Sequence, residues 1–193
     1  MATSLAMTRI GVYPGSFDPP TRAHLEIARV AREVHGLTRI DLALSTVALG
    51  KEDAASVTLA RRVEIVQASV AEVEGLGVVV TEARLIADIA QGYDIVVMGA
   101  DKWAQVHDPV WYDDEAAHAD ALSSLPMVAV APRPPHPTPG ELRLPVADDL
   151  LEISSTGARS GRREWMTGAA AAFDRETGAW TDPRRFGGSE GEG

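Results

Sequence analysis

His24 stands in the first turn of a segment with helical spacing, directly behind the run Gly15-Ser16-Phe17-Asp18-Pro19-Pro20-Thr21. An imidazole so placed can donate to a phosphate oxygen, and the partial positive charge of the helix start adds to the attraction. Upstream, the apolar residues 10–13 read as a buried strand. That strand ends at Gly15, whose missing Cβ lets backbone and ligand come close, and the helix that follows offers unpaired N–H groups. Strand, glycine turn and helix start together predict a phosphate-binding corner, with Ser16 and Phe17 inside it and a nucleotide as its natural guest. The Thr21 hydroxyl can bond a phosphate or cap the helix. Asp18 can orient the turn through backbone N–H groups or help hold a magnesium ion with the phosphates.

A second cluster, Ser154-Ser155-Thr156 followed by Arg159, repeats the same physics far along the chain. Hydroxyls and orphan N–H groups at a helix start meet an anion, and a guanidinium fork one turn on can grip it bidentately. Read alone, the hydroxyls would also serve as an ordinary cap.

These residues need a frame. Short apolar runs at 10–13, 40–44, 78–80, 95–98 and 127–131, with a weaker one at 150–153, predict strands. Between them lie helical spacings: His24, Ile27, Ala28, Ala31 and Val34 share one face, and so do Leu59, Val63, Val66, Val70 and Val73. Alternation of this kind predicts an α/β fold, a Rossmann-like doubly wound parallel sheet with helices on both faces. Ligands of such sheets bind beyond the carboxyl ends of the strands, where both clusters fall. Residues 132–145 are rich in proline and predict an exposed loop. From Thr181 onward there is little to bury, which predicts a single domain over 1–180 and a disordered tail over 181–193.

The chain of 193 residues carries a formal charge of -10 and no cysteine. A field of that sign disfavours nucleic acid as a partner unless basic residues are concentrated locally. No apolar run approaches a membrane span, and residues 1–8 lack the pattern of a secretion signal, so the expectation is a cytoplasmic protein. The sequence leaves a homo-oligomer open.

The residues then resemble a known group. Phe17-Asp18-Pro19 and Thr21-Arg22-Ala23-His24 are similar to the Gly-x-Phe-Asp-Pro and (His/Thr)-x-Gly-His elements of the nucleotidyltransferase superfamily, with alanine where glycine is usual. Residues 153–159 resemble its Ile-Ser-Ser-Thr-x-x-Arg motif, and residues 96–101 its fourth strand and Gly-x-Asp turn, so the likeness covers about residues 8 to 180. The resemblance implies transfer of AMP from ATP, with magnesium, to a phosphorylated acceptor, pyrophosphate leaving. No protein nucleophile is implied; positioning and positive charge carry the catalysis.

On that resemblance ATP would meet Gly15, Ser16, Phe17, Asp18, Thr21, His24, Gly99, Asp101, Ser154, Ser155, Thr156 and Arg159, with Asp101 on the ribose. His24, Arg159 and Lys51 would supply catalytic charge, and no protein metal ligand is assigned. Trp111 stands where nicotinate- and nicotinamide-mononucleotide adenylyltransferases carry a tryptophan that stacks on the pyridine ring, which makes such a mononucleotide the expected acceptor. The stretch from Thr81 to Asp94 lacks that branch's Tyr-Thr-x-Asp-Thr-Leu segment. Three readings therefore stand beside one another: this acceptor; a phosphopantetheine-like acceptor or CTP as donor; and nucleotide binding without turnover.

Overall fold

The structure is a computed structural model and describes residues 8–47 and 57–187. Five strands, β1 (Ile10–Pro14), β2 (Arg39–Ser45), β3 (Leu76–Thr81), β4 (Ile95–Gly99) and β5 (Met127–Ala131), form one parallel sheet in the order β3-β2-β1-β4-β5. The α/β reading therefore holds. Chain order runs outward from β1 to β3 on one side and from β4 to β5 on the other. The sheet thus switches direction between β1 and β4, and a crevice opens at their carboxyl ends.

Side chains alternate across the strands, so near-continuous apolar runs supply two cores. Tyr13, Leu42, Leu44, Ile95 and Val97 face α1 (Arg22–His35) and α2 (Leu59–Val70), packing with Ile27, Ala31 and Val66. Val12, Ala43, Val96 and Met98 face the other layer, with Ala90 and Val106. That layer holds α3 (Ile86–Ile89), α4 (Ala100–Val106) and α5 (Glu115–Ser124). A third cluster joins Ile65 on α2 to Ala158, Met166, Ala170 and Trp180. Its elements are α6 (Ser155–Arg159), α7 (Gly168–Thr177) and α8 (Pro183–Gly187).

The structure corrects the sequence reading in several places. Residues 150–153 form no strand: a 3-10 turn, Asp148–Leu150, precedes them, and the backbone N–H groups of Leu150 and Ile153 bond locally to Ala147 and Leu150. Val34 is 54% exposed, and Val73 lies past the end of α2. The proline-rich loop returns to the sheet, where the Leu144 N–H donates to the Val130 carbonyl at 2.9 Å and the Leu144 side chain is buried. Pro183–Gly187 is helical, so the expected tail overlaps ordered chain; its last residues, 188–193, lie outside the described ones. Among the described residues no helix is long and apolar enough to cross a membrane.

Candidate active site

At the switch point the chain leaves β1 through Gly15, whose N–H still bonds the Ala43 carbonyl of β2 at 3.0 Å. A Cβ on Gly15 would meet the Phe17 ring at 2.8 Å. The glycine therefore makes room for that ring. Phe17, with φ of 45°, is buried and stands edge-on to His24 at 5.1 Å between centroids. Phe17 is thus a wall of the site that fixes the imidazole.

His24 is held from its other edge by the start of α1. The Thr21 backbone N–H donates to His24 Nδ1 at 2.9 Å, and the Thr21 hydroxyl lies 3.0 Å from the same nitrogen. A nitrogen that accepts carries no hydrogen, so in the neutral ring Nε2 bears the proton and donates. Burial lowers the imidazole to about 4, with Arg133 next in effect. His24 accordingly offers a neutral N–H, not the cationic charge the sequence reading gave it. Thr21 is fully buried and serves this ring; its hydroxyl is turned to His24 and not to an anion.

His24 lines a cleft together with Gly15, Ser16, Phe17, Gly99, Asp101, Ser155, Thr156 and Arg159. The structure thus brings the two distant clusters to one space. Arg159 spans them: one guanidinium nitrogen donates to the Asp18 carbonyl and the other to Thr156 Oγ1 at 3.3 Å. Ser155 Oγ donates to the Pro19 carbonyl at 2.8 Å.

Some predicted site residues lie elsewhere. Asp18 is buried, and its Oδ1 accepts the Trp180 indole N–H at 2.6 Å, so its carboxylate faces the interior. Ser154 does not line this cleft; it caps α6 by accepting from the Gly157 N–H at 3.0 Å. Ala23, the departure from glycine, is buried and is likewise no part of the cleft wall, so its methyl group does not narrow the cleft. Lys51 lies outside the described residues.

With three motifs converging on one crevice, the family model for cytidylyltransferase-like proteins matches residues 12–161. The chain belongs to the cytidylyltransferase-like family. By family it is a nucleotidyltransferase, and the match takes in β1 to α6. Over 94 residues it is 29% identical to the phosphopantetheine adenylyltransferase of Syntrophus aciditrophicus (strain SB), covering 48% of this chain and 54% of that protein. The chain thus spans about half the length of the curated relative it matches.

Sequence reading missed much of this nucleotidyltransferase's positive lining. Arg133, just past β5, and Lys102, on α4, line the cleft, and the Arg133 Nε lies 3.9 Å from Asp101 Oδ1. A basic residue at the carboxyl end of a predicted strand was the available signal. Next to the cleft lies a second cavity, sharing the wall of Pro14, Gly15, Ser16 and Lys102. Its lining is largely apolar, with Ala43, Leu85, Ile86, Ile89 and Val106 beside Trp111 and Tyr112, and among the described residues it holds Arg62 and Arg84 but no carboxylate. Arg62 closes one side, donating to the Ser16 carbonyl at 2.7 Å and the Val57 carbonyl at 3.2 Å.

Proposed function

We propose that the protein transfers AMP from ATP to the phosphate of nicotinic or nicotinamide mononucleotide and releases pyrophosphate. The observation that carries this reading is the wall shared by the two cavities at Pro14–Ser16 and Lys102. A triphosphate in the polar cleft and an acceptor in the apolar cavity would meet across it. An acceptor phosphate oxygen attacks the α-phosphorus, the bond to the bridging oxygen breaks, and pyrophosphate departs in line. The enzyme's part is orientation and charge compensation.

In this reading the His24 Nε2–H and the Arg159 guanidinium meet phosphate oxygens, with Gly15, Ser16, Gly99, Ser155 and Thr156 as the close walls. Lys102 and Arg133 add positive charge, which answers the net charge of -10 locally. Asp101, in the first turn of α4, takes the ribose hydroxyls. Among the described residues Asp101 is also the cleft's one carboxylate, and they contain no group of three or more acidic or histidine side chains placed for a metal. Such a lining suits magnesium that arrives on ATP as part of the substrate, where it neutralises phosphate charge. Trp111, 36% exposed at the cavity rim, offers a face for a pyridine ring.

A second reading has its own support. The relative named as a phosphopantetheine adenylyltransferase, together with the apolar lining of the cavity, favours an acceptor with an extended arm. Purified protein with magnesium, ATP or CTP and a panel of acceptors, followed by pyrophosphate release, decides among them. The proposal expects release with ATP and a pyridine mononucleotide. Release only with phosphopantetheine or only with CTP transfers the assignment to the second reading, and ATP binding without release from any acceptor leaves a binding protein.

A further inference from the structure

Part of what holds the 16–21 turn lies beyond the stretch that matches the family. That match ends at residue 161, and the segment after it wraps the underside of residues 16–21. Thr21 forms an antiparallel bridge with Met166, and the Thr167 N–H donates to the Pro20 carbonyl at 3.1 Å. The Trp180 indole then reaches the Asp18 carboxylate.

Trp180 is itself fixed by a carboxylate with no exposure, Asp174. Its Oδ1 accepts the backbone N–H groups of Trp180 at 2.8 Å and Thr181 at 3.0 Å. Its Oδ2 accepts Arg163 Nε at 2.7 Å and the Thr181 hydroxyl at 2.6 Å. A buried carboxylate with every oxygen engaged is costly to disturb and orients what it holds. The order of contact runs from Asp174 to Trp180, to Asp18, and through the Asp18 carbonyl to Arg159, while the next residues of the same turn carry Thr21 and His24. A buried Asp18 without its indole partner would be left as an uncompensated acceptor, and the turn would have to move to rehydrate it.

We propose that Trp180 is a positioning residue for the nucleotide site: its indole N–H, seated by Asp174, fixes the 16–21 turn and so the settings of His24 and Arg159. This rests on the proposed transfer for its kinetic consequence but not for its structural one.

The test replaces Trp180 with Phe, which keeps an aromatic ring in the core and removes the donor. Two measurements are made on the full chain. One is the nitrogen NMR titration of His24, whose neighbours in charge are Arg133 and Asp101. The other is pyrophosphate release with magnesium ATP and the acceptor panel. W180F is expected to shift the His24 nitrogen resonances and their titration, and to cut release at least tenfold while still melting cooperatively. Asp18→Leu should do the same, and Asp18→Asn, whose amide oxygen still accepts from the indole, should recover most of the loss. Phe173→Leu, which disturbs the same core by its contact with the Trp180 ring, should lower the melting temperature and leave the His24 titration in place. If W180F leaves both His24 and release as in wild type, or if F173L shifts His24 equally, the proposal is overturned. If wild type releases no pyrophosphate and W180F still shifts His24, the transfer reading fails and the positioning role stands. A W180F chain that does not fold hands the decision to the Asp18 pair.

Discussion

The cleft takes its polar side chains from short runs, residues 15–24, 99–102 and 155–159, with Arg133, whereas the cavity beside it gathers Arg62, Arg84, Trp111 and Tyr112 from scattered places. Backbone turns and helix starts define the cleft. The cavity is apolar and bounded by side chains whose tips converge from α2, the β3–α3 loop and the turn after α4. On the proposed reading, the difference assigns to one region the chemistry common to any phosphorylated acceptor and to the other the choice of acceptor.

That division can be broken most sharply at His24. Removing its N–H with His24→Ala should lower turnover at least ~10²-fold, the scale of one preorganised donor, with the acceptor KM little changed; near-normal turnover would show that the cleft does not carry the chemistry. Arg159→Gln should cost about 10- to 100-fold, on the scale of a charge-assisted hydrogen bond, expressed mainly in the KM for ATP. Trp111→Ala should act on the other side of the division. Loss of a stacking face worth ~0.5–1.5 kcal/mol raises the acceptor KM by about 2- to 10-fold, and an equal effect on ATP would erase the distinction between the two regions.

The smallest expected effect is on stability. His24 is held near 4 in the folded state against an ordinary 6.5, so between those values the unfolded chain binds the extra proton. Stability from this group is therefore complete above pH 6.5 and declines as pH falls towards 4. Melting temperatures from pH 7 to 4.5 should fall less steeply in His24→Gln than in wild type, with His35, also held below its ordinary value by burial, retaining its own share.

Legibility followed the same boundary. The five strands, the helices on both faces of a parallel sheet and the convergence of residues 15–24 with 155–159 were readable, because periodicity and helix-start chemistry are local. The role of Asp18 was not, since its partner Trp180 lies 162 residues away and nothing in either neighbourhood points to the other. At Gly15 the packing of the Phe17 ring two residues on was a further demand on the missing Cβ that the local pattern did not reveal. Arg62 and Arg133 escaped because a long side chain's destination depends on tertiary packing, not on the face from which it starts.

The hydrogen bond between Asp18 and Trp180 also sets an order in time. At ~5–20 residues per second, a ribosome places these two partners roughly 8 to 30 s apart. The turn that carries His24 is therefore made well before the indole that fastens it, and a chain still short of Trp180 would carry the Asp18 carboxylate without its donor.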